Sequence, residues 1–192
     1  MMNTQLLGRY EVLKSLVVER KVEFDRLMGF VEKETEWLVA PASTKFHLCR
    51  ESGLLEHSCN VAETLLKIKG TLAPTISDES CVIVALLHDL GKVGMPDNPQ
   101  YILNEPSEKQ KKYGYGASVP YHFNNELVYM SVPLRSIYFI LPYMRLSEEE
   151  TQAIMYHDGQ YVDDNASVAT HEVPLTLMLQ YADSWCSFVI EK

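Results

Sequence analysis

The sequence lacks the features that direct a chain into a membrane, along a secretory route or onto a nucleic-acid duplex. It has no run of eighteen apolar residues, so no membrane span is expected. Its opening segment, MMNTQLLGRYEVLK, lacks a basic start followed by an apolar block, so no secretory signal is expected. The four cysteines, Cys49, Cys59, Cys81 and Cys186, contain no CxxC pair. Reduced thiols in a cytoplasmic protein are therefore expected. Basic residues are in deficit: 17 Lys+Arg against 26 Asp+Glu give a net charge of −9. A protein that binds long duplexes normally carries a basic face, so that class is disfavoured. A local basic pocket for one phosphate remains compatible with an acidic chain.

What is there suits one folded domain. With 192 residues, 46% of them hydrophobic, the chain is long enough to bury a core without disulfides. Leu6, Tyr10, Leu13, Val17, Phe24, Leu27 and Val31 recur at helical spacing across 4–38, as one helix or two. Residues 53–70 read as helix ended by Gly70. Ser77 is placed to cap a helix reaching about Leu90, with Gly91 as its stop. Residues 91–121 are rich in Pro, Gly, Tyr and Lys and read as a long irregular loop. A helix is expected from His122 to about Ser131, another from Pro133 through Leu141, and a third opened by a capping box, Ser147 to Glu150. The last begins near Pro174 and runs through Asp183. No strand is evident, and the expected fold is all-α.

The chemistry concentrates in VIVALLHDLGKVG, residues 82–94, where an apolar helix runs directly into His88 and Asp89. Adjacent helical residues point about 100° apart, so both reach one object only near the helix end. A divalent cation accepts imidazole nitrogen and carboxylate oxygen together, and offsets the cost of an ionised Asp beside apolar residues. A hydrogen-bonded surface pair would read the same. His57, His122, which opens an expected helix, His157 and Asp183 lie in comparable settings, four candidate ligands on apolar helices. Individually, His57 reads equally as a satisfied core histidine and Asp183 as a partner for a lysine.

The segments GLLEHS, LLHDLGK, YH, MYHDG and LQYADS, in that order, resemble the HD superfamily of metal-dependent phosphohydrolases over about residues 43–187. The likeness is greatest to the HD domain of bacterial 3′-to-5′ exoribonucleases that also carry an OB-fold. The resemblance implies an HD-domain helical bundle at 43–192, with residues 1–42 as a helical extension packed on it. It implies a first metal site of His57, His88, Asp89 and Asp183. Asp89 would bridge to a second ion held by His122 and His157, and Lys92 would face the substrate phosphate. One or two ions are implied, and the mixed donor set suits Mn, Fe, Ni, Co or Zn. The chain departs from the exoribonuclease pattern at Asp158, where a second His is usual, and it has no OB-fold.

The implied activity is hydrolysis of a phosphoester in a nucleotide or short oligonucleotide, with Asp89 and Lys92 as the catalytic pair. His47 and Arg50 could close on the substrate phosphate, and Lys109, Tyr113 and Tyr115 could form a lid over a base. A solvated loop is the alternative in both places. A non-catalytic HD-fold nucleotide sensor and an HD-type di-iron oxygenase remain open, as does the oligomeric state. One requirement is sharp. A shared ion demands that the Asp183 carboxylate lie within about 8 Å of the His57 imidazole, since metal–ligand bonds are about 2 Å.

Overall fold

Two helices open the chain in the computed structural model, which describes residues 3–192. Helix α1 (Thr4–Lys14) is capped by Asn3, whose side chain accepts from the Gln5 amide, and α2 spans Lys21–Glu34. Leu6, Tyr10 and Leu13 on α1, and Phe24, Leu27, Met28 and Val31 on α2, are buried in the same core as the helices that follow. Buried Trp37 donates its indole N–H to the Tyr10 hydroxyl at 3.1 Å. Side chains of α1 and α2 thus share one apolar core with the later helices.

Helix α3 (Gly53–Leu72) and helix α4 (Asp78–Leu87) form the central pair. Gly70 does not end α3. The helix runs two residues further, and Ala73 closes it by donating to the Lys69 carbonyl. Ser77 caps α4 by accepting from the Ser80 amide at 3.0 Å. Every residue from Val82 to Leu87 is fully buried, so α4 is apolar all round, as a central helix must be. Truncating Leu86 to Ala is expected to cost about 2–5 kcal/mol through the cavity left behind.

The end of α4 differs from its expected form. The α-helix stops at Leu87 with His88 at its C-cap, and a 3-10 turn, Leu90–Val93, runs through Gly91. Gly91 serves close packing rather than termination. A Cβ there would collide with the Val132 carbonyl, and its N–H donates to the buried Ser136 hydroxyl at 2.8 Å. The chain reverses at Gly94, whose φ of +82° suits glycine.

The stretch expected to be irregular holds a small antiparallel hairpin, β1 (Tyr101–Leu103) with β2 (Tyr121–Phe123), Ile102 opposite His122. Between them lies the short helix α5 (Glu108–Lys112), opened by a Ser107–Gln110 capping box. The helix expected from His122 does not form. The triplet Tyr-His-Phe pairs as strand, and Asn124 then competes with any helix: its Oδ1 accepts from the Glu126 amide, and its Nδ2 donates to the Pro99 carbonyl.

Helix α6 (Val132–Ile140) starts at a Ser131 cap with Pro133 in its first turn, and α7 (Glu148–Met155) carries both bonds of the Ser147–Glu150 capping box. After a 3-10 turn at Asp163–Val168, α8 (Pro174–Trp185) packs on α3 and α7. It continues past Asp183 and widens into a π-helical turn, Cys186–Ile190. The four cysteines are free, and three of them are buried. Among the described residues, no helix is long and apolar enough to cross a membrane.

Candidate metal centre

Four helices bring side chains to one point. His57 lies on α3, His88 and Asp89 at the end of α4, His157 just past α7, and Asp183 on α8. The Nε2 of His57 is 3.1 Å from Asp183 Oδ1 and 3.5 Å from Asp89 Oδ2, and His88 Nε2 is also 3.5 Å from Asp89 Oδ2. The 8 Å limit for a shared ion is met with a wide margin. The second oxygen of Asp89, Oδ1, lies 3.6 Å from His157 Nε2, which is in turn 3.6 Å from Asp158 Oδ1. Asp89 therefore faces two groups of donors, one with each oxygen.

The ring orientations follow from position in the helices. A carbonyl near a helix C-terminus has no intrahelical partner. His88 Nδ1 donates to one such carbonyl, Ala85, at 2.8 Å, and His157 Nδ1 to another, Ile154, at 2.9 Å. Both rings are thereby held with Nε2 toward the cluster. His57 is within α3, and its Nδ1 meets the Glu191 carboxylate instead, at 2.9 Å.

This donor set fits a divalent cation. His88 is fully buried, and its Nε2 has no hydrogen-bond partner. With Nδ1 acting as donor, that Nε2 is an acceptor facing a carboxylate, which is unfavourable unless a cation lies between them. Donor spacings of 3.1 to 3.5 Å match the edges of a coordination polyhedron with bonds of about 2.1 Å. His57, His88, Asp89 and Asp183 would hold one ion, and Asp89 and His157, with Asp158 nearby, border a second position.

The local electrostatics favour the same chemistry. Burial opposes ionisation of Asp89, yet Lys92 and the surrounding imidazoles hold its carboxyl well below the usual range. Burial also opposes ionisation of Asp183, and the His57 bond outweighs it, again lowering the pKa. Burial pushes His88 down to about 4, keeping it neutral. Burial depresses His57 too, but bonds to Asp183 and Glu191 overcome it and lift the imidazole to about 9. His157 reaches about 9 against burial through its bond to Asp89 and the charge of Asp158. Lys92 is raised above ordinary lysine because the attraction of Asp89 exceeds the cost of burial, and its Nζ sits 2.6 Å from Asp89 Oδ2.

Asp89, His157 and Asp183 of the cluster line a cavity of about 740 Å³, with His47, Lys92 and Asp158 beside them and Phe46 and Phe188 among its apolar parts. Of the residues singled out in the sequence, the fold brings His57, His88, Asp89, His157 and Asp183 together, with Lys92 and His47 beside them. It does not bring the others. His122 is exposed on β2, with Nδ1 2.7 Å from Asn104 Oδ1, because the segment pairs as strand instead of forming a helix aimed inward. Arg50 is exposed and paired with Glu56. Lys109, Tyr113 and Tyr115 are exposed on and after α5, outside the cavity walls. Glu191 was not evident in the sequence: it is 134 positions from His57, beyond the last helical pattern, and no local signal marks it.

No curated protein and no solved structure matches the chain. A family model does: the HD domain matches residues 54–165, more than half of the sequence and all but one of the converging residues. With the His–Asp pair at the end of α4 and the donors from α3, α7 and α8 gathered around it, the chain belongs to the HD domain family of metal-dependent phosphohydrolases.

Proposed function

We propose that this protein hydrolyses a phosphoester bond in a nucleotide or short oligonucleotide, using the centre built by His57, His88, Asp89, His157 and Asp183. The observation that carries the reading is the unpartnered, fully buried His88 Nε2, which faces a carboxylate beside a cationic Lys92 at the floor of an open cavity. A divalent cation held there would make water more acidic and polarise the phosphoryl oxygen.

The chain's own groups account for the remaining requirements. Asp89, held ionised by Lys92, positions the attacking water between the two donor groups. Lys92 Nζ balances charge on the phosphoryl oxygens as it develops, a contribution that grows where water is excluded. Phe46, Phe188 and Val132 supply apolar parts of the wall. Asp158, about half exposed beside His157, is placed to take or return a proton at the leaving oxygen. With His122 exposed elsewhere, the second donor group contains Asp89, His157 and Asp158. A small substrate is favoured by the acidic chain, and its nucleotide character by the likeness to exoribonuclease HD domains. A cytoplasmic setting with free thiols belongs to the same reading.

The test is turnover of bis-p-nitrophenyl phosphate and of a nucleotide panel, with and without added Mn²⁺. Metal-dependent release of product that is lost in Asp89→Ala supports the reading. Equal turnover by wild type and Asp89→Ala overturns it.

A further inference from the structure

His88 and His157 take their tautomer from the carbonyls of their own helix ends, whereas His57 depends on an acceptor from elsewhere. Its environment outside the cluster is ordered over several shells. His57, Asn60 and Thr64 fall at i, i+3 and i+7 on α3, along one stripe. The π turn lies along that stripe. Glu191 Oε2 meets His57 Nδ1 at 2.9 Å, with Oε1 farther from it at 3.2 Å; Asn60 Nδ2 donates to Glu191 Oε1 at 2.8 Å, and Thr64 Oγ1 is 3.4 Å from Cys186 Sγ. The turn closes with the Glu191 N–H on the Cys186 carbonyl at 3.0 Å, one residue wider than an α-turn.

The orientation of the Asn60 amide is also set. Arg9, on α1, donates from Nη2 to Asn60 Oδ1 at 2.7 Å while Glu63 accepts from the same guanidinium at 2.8 and 2.9 Å. A guanidinium only donates and an ionised carboxylate only accepts, so Asn60 must turn its oxygen to Arg9 and its NH₂ to Glu191. By the same rule Nδ1 of His57 carries the proton it gives to Glu191, which leaves Nε2, facing Asp183 and Asp89, as the atom where a cation would replace a proton. One C-terminal segment thereby contacts both nitrogens of the ring, with Asp183 on one side and Glu191 on the other.

We propose that Arg9, Asn60 and Glu191 form a positioning relay that holds His57 in its metal-binding tautomer, so that the N-terminal extension contributes to the metal centre as well as to packing. The inference rests on the metal reading above. Its test turns on Glu191→Gln, nearly the same shape as the native residue. Asn60 still donates toward the new side chain, whose carbonyl oxygen therefore turns to Asn60 and whose NH₂ turns to His57 Nδ1. That places the ring proton on Nε2 and removes the lone pair from the cluster.

The affinity for Mn²⁺ alone, measured by titration calorimetry, is expected to fall by about 10- to 100-fold in Glu191→Gln, the range typical for losing an outer partner of a metal ligand. Glu191→Ala, which admits water at Nδ1, is expected to lose less, and Arg9→Ala less again. Far-UV circular dichroism of Glu191→Gln in EDTA should match wild type, so that the loss of affinity is read on a folded chain. A purely structural role for the turn predicts the reverse order, with Ala weaker than Gln, and that result overturns the relay. Wild-type affinity in Glu191→Gln overturns it as well, while leaving the proposed function standing. A wild-type chain that takes up no Mn²⁺ removes the metal centre, and the relay with it.

Discussion

Two charged clusters among the described residues, one around Arg20 and one around Asp89, are finished differently. One joins Arg20 at the start of α2 to Glu79 on α4 and Glu150 on α7. Arg20 donates from Nε to Glu79 at 2.7 Å and from Nη1 and Nη2 to Glu150 at 2.8 and 2.6 Å. The remaining oxygen of Glu79 accepts from the Val18 and Glu19 amides, and Glu150 also accepts from the Ser147 amide in the capping box. Each carboxylate oxygen there has a donor within the chain, so the cluster is closed. The second cluster is the centre around Asp89. There the neutral His88 turns Nε2 toward a carboxylate oxygen, acceptor to acceptor, and that nitrogen has no partner. The closed cluster ties three helices together. The open one retains unmet coordination at the floor of a cavity, which costs stability unless something positive binds.

This contrast can be broken at either side. The largest effect is expected at the open cluster. Asp89→Ala should abolish metal-dependent turnover and lower Mn²⁺ content while far-UV circular dichroism remains helical. Loss of helicity together with turnover would mean that Asp89 belongs to the structural kind of cluster. Next comes the closed cluster. Arg20→Leu leaves Glu150, 1% exposed, without its counter-charge. It should cost about 3 kcal/mol in urea unfolding, as breaking a buried pair does, with metal affinity unchanged. A smaller effect is expected for Lys92→Ala, which should slow turnover roughly tenfold or more by removing phosphoryl stabilisation while keeping the metal. Loss of metal in that variant would assign Lys92 to holding the ion's ligands.

The subtlest prediction concerns pH, where the two clusters should respond in opposite directions. Glu79 and Glu150 are pulled below the ordinary carboxylate range: burial opposes the shift, and the Arg20 bonds outweigh it. Their stabilisation is present above the unfolded value of about 4.3 and is lost as pH falls through their folded values. His57 and His157 are raised to about 9. In EDTA their contribution is complete below about pH 6.5 and is lost as pH rises toward 9. Because proton and cation compete for the same Nε2 atoms, added Mn²⁺ should reverse the alkaline trend. Melting curves from pH 3 to 9, with EDTA or Mn²⁺, would resolve both. No alkaline decline in EDTA would remove the assigned histidine shifts.

Much of the bundle was legible because apolar spacing and capping residues act locally. The Ser77 cap, the Ser147–Glu150 box and the Leu6–Tyr10–Leu13 face are decided within one or two turns of chain. The first group of site residues was legible for a related reason: His57, His88, Asp89 and Asp183 interrupt apolar helices, where an unpaired ionisable group is costly. His122 was misread because its segment is decided by pairing with residues 101–103, about twenty positions away. Gly91 was read as a stop because nothing nearby in sequence reveals that α6 presses against its Cα.

By itself, the sequence determined an all-α chain of the HD kind, with His and Asp side chains on apolar helices that require a charged partner. Which partners they meet was decided only by the tertiary structure: Glu79 and Glu150 around Arg20, Glu191 behind His57, and no acceptor or donor at all for His88 Nε2. The reason is physical. Helix formation depends on neighbours a few residues apart, whereas neutralising a buried charge depends on groups brought together across 59 to 134 positions by the packing of the core.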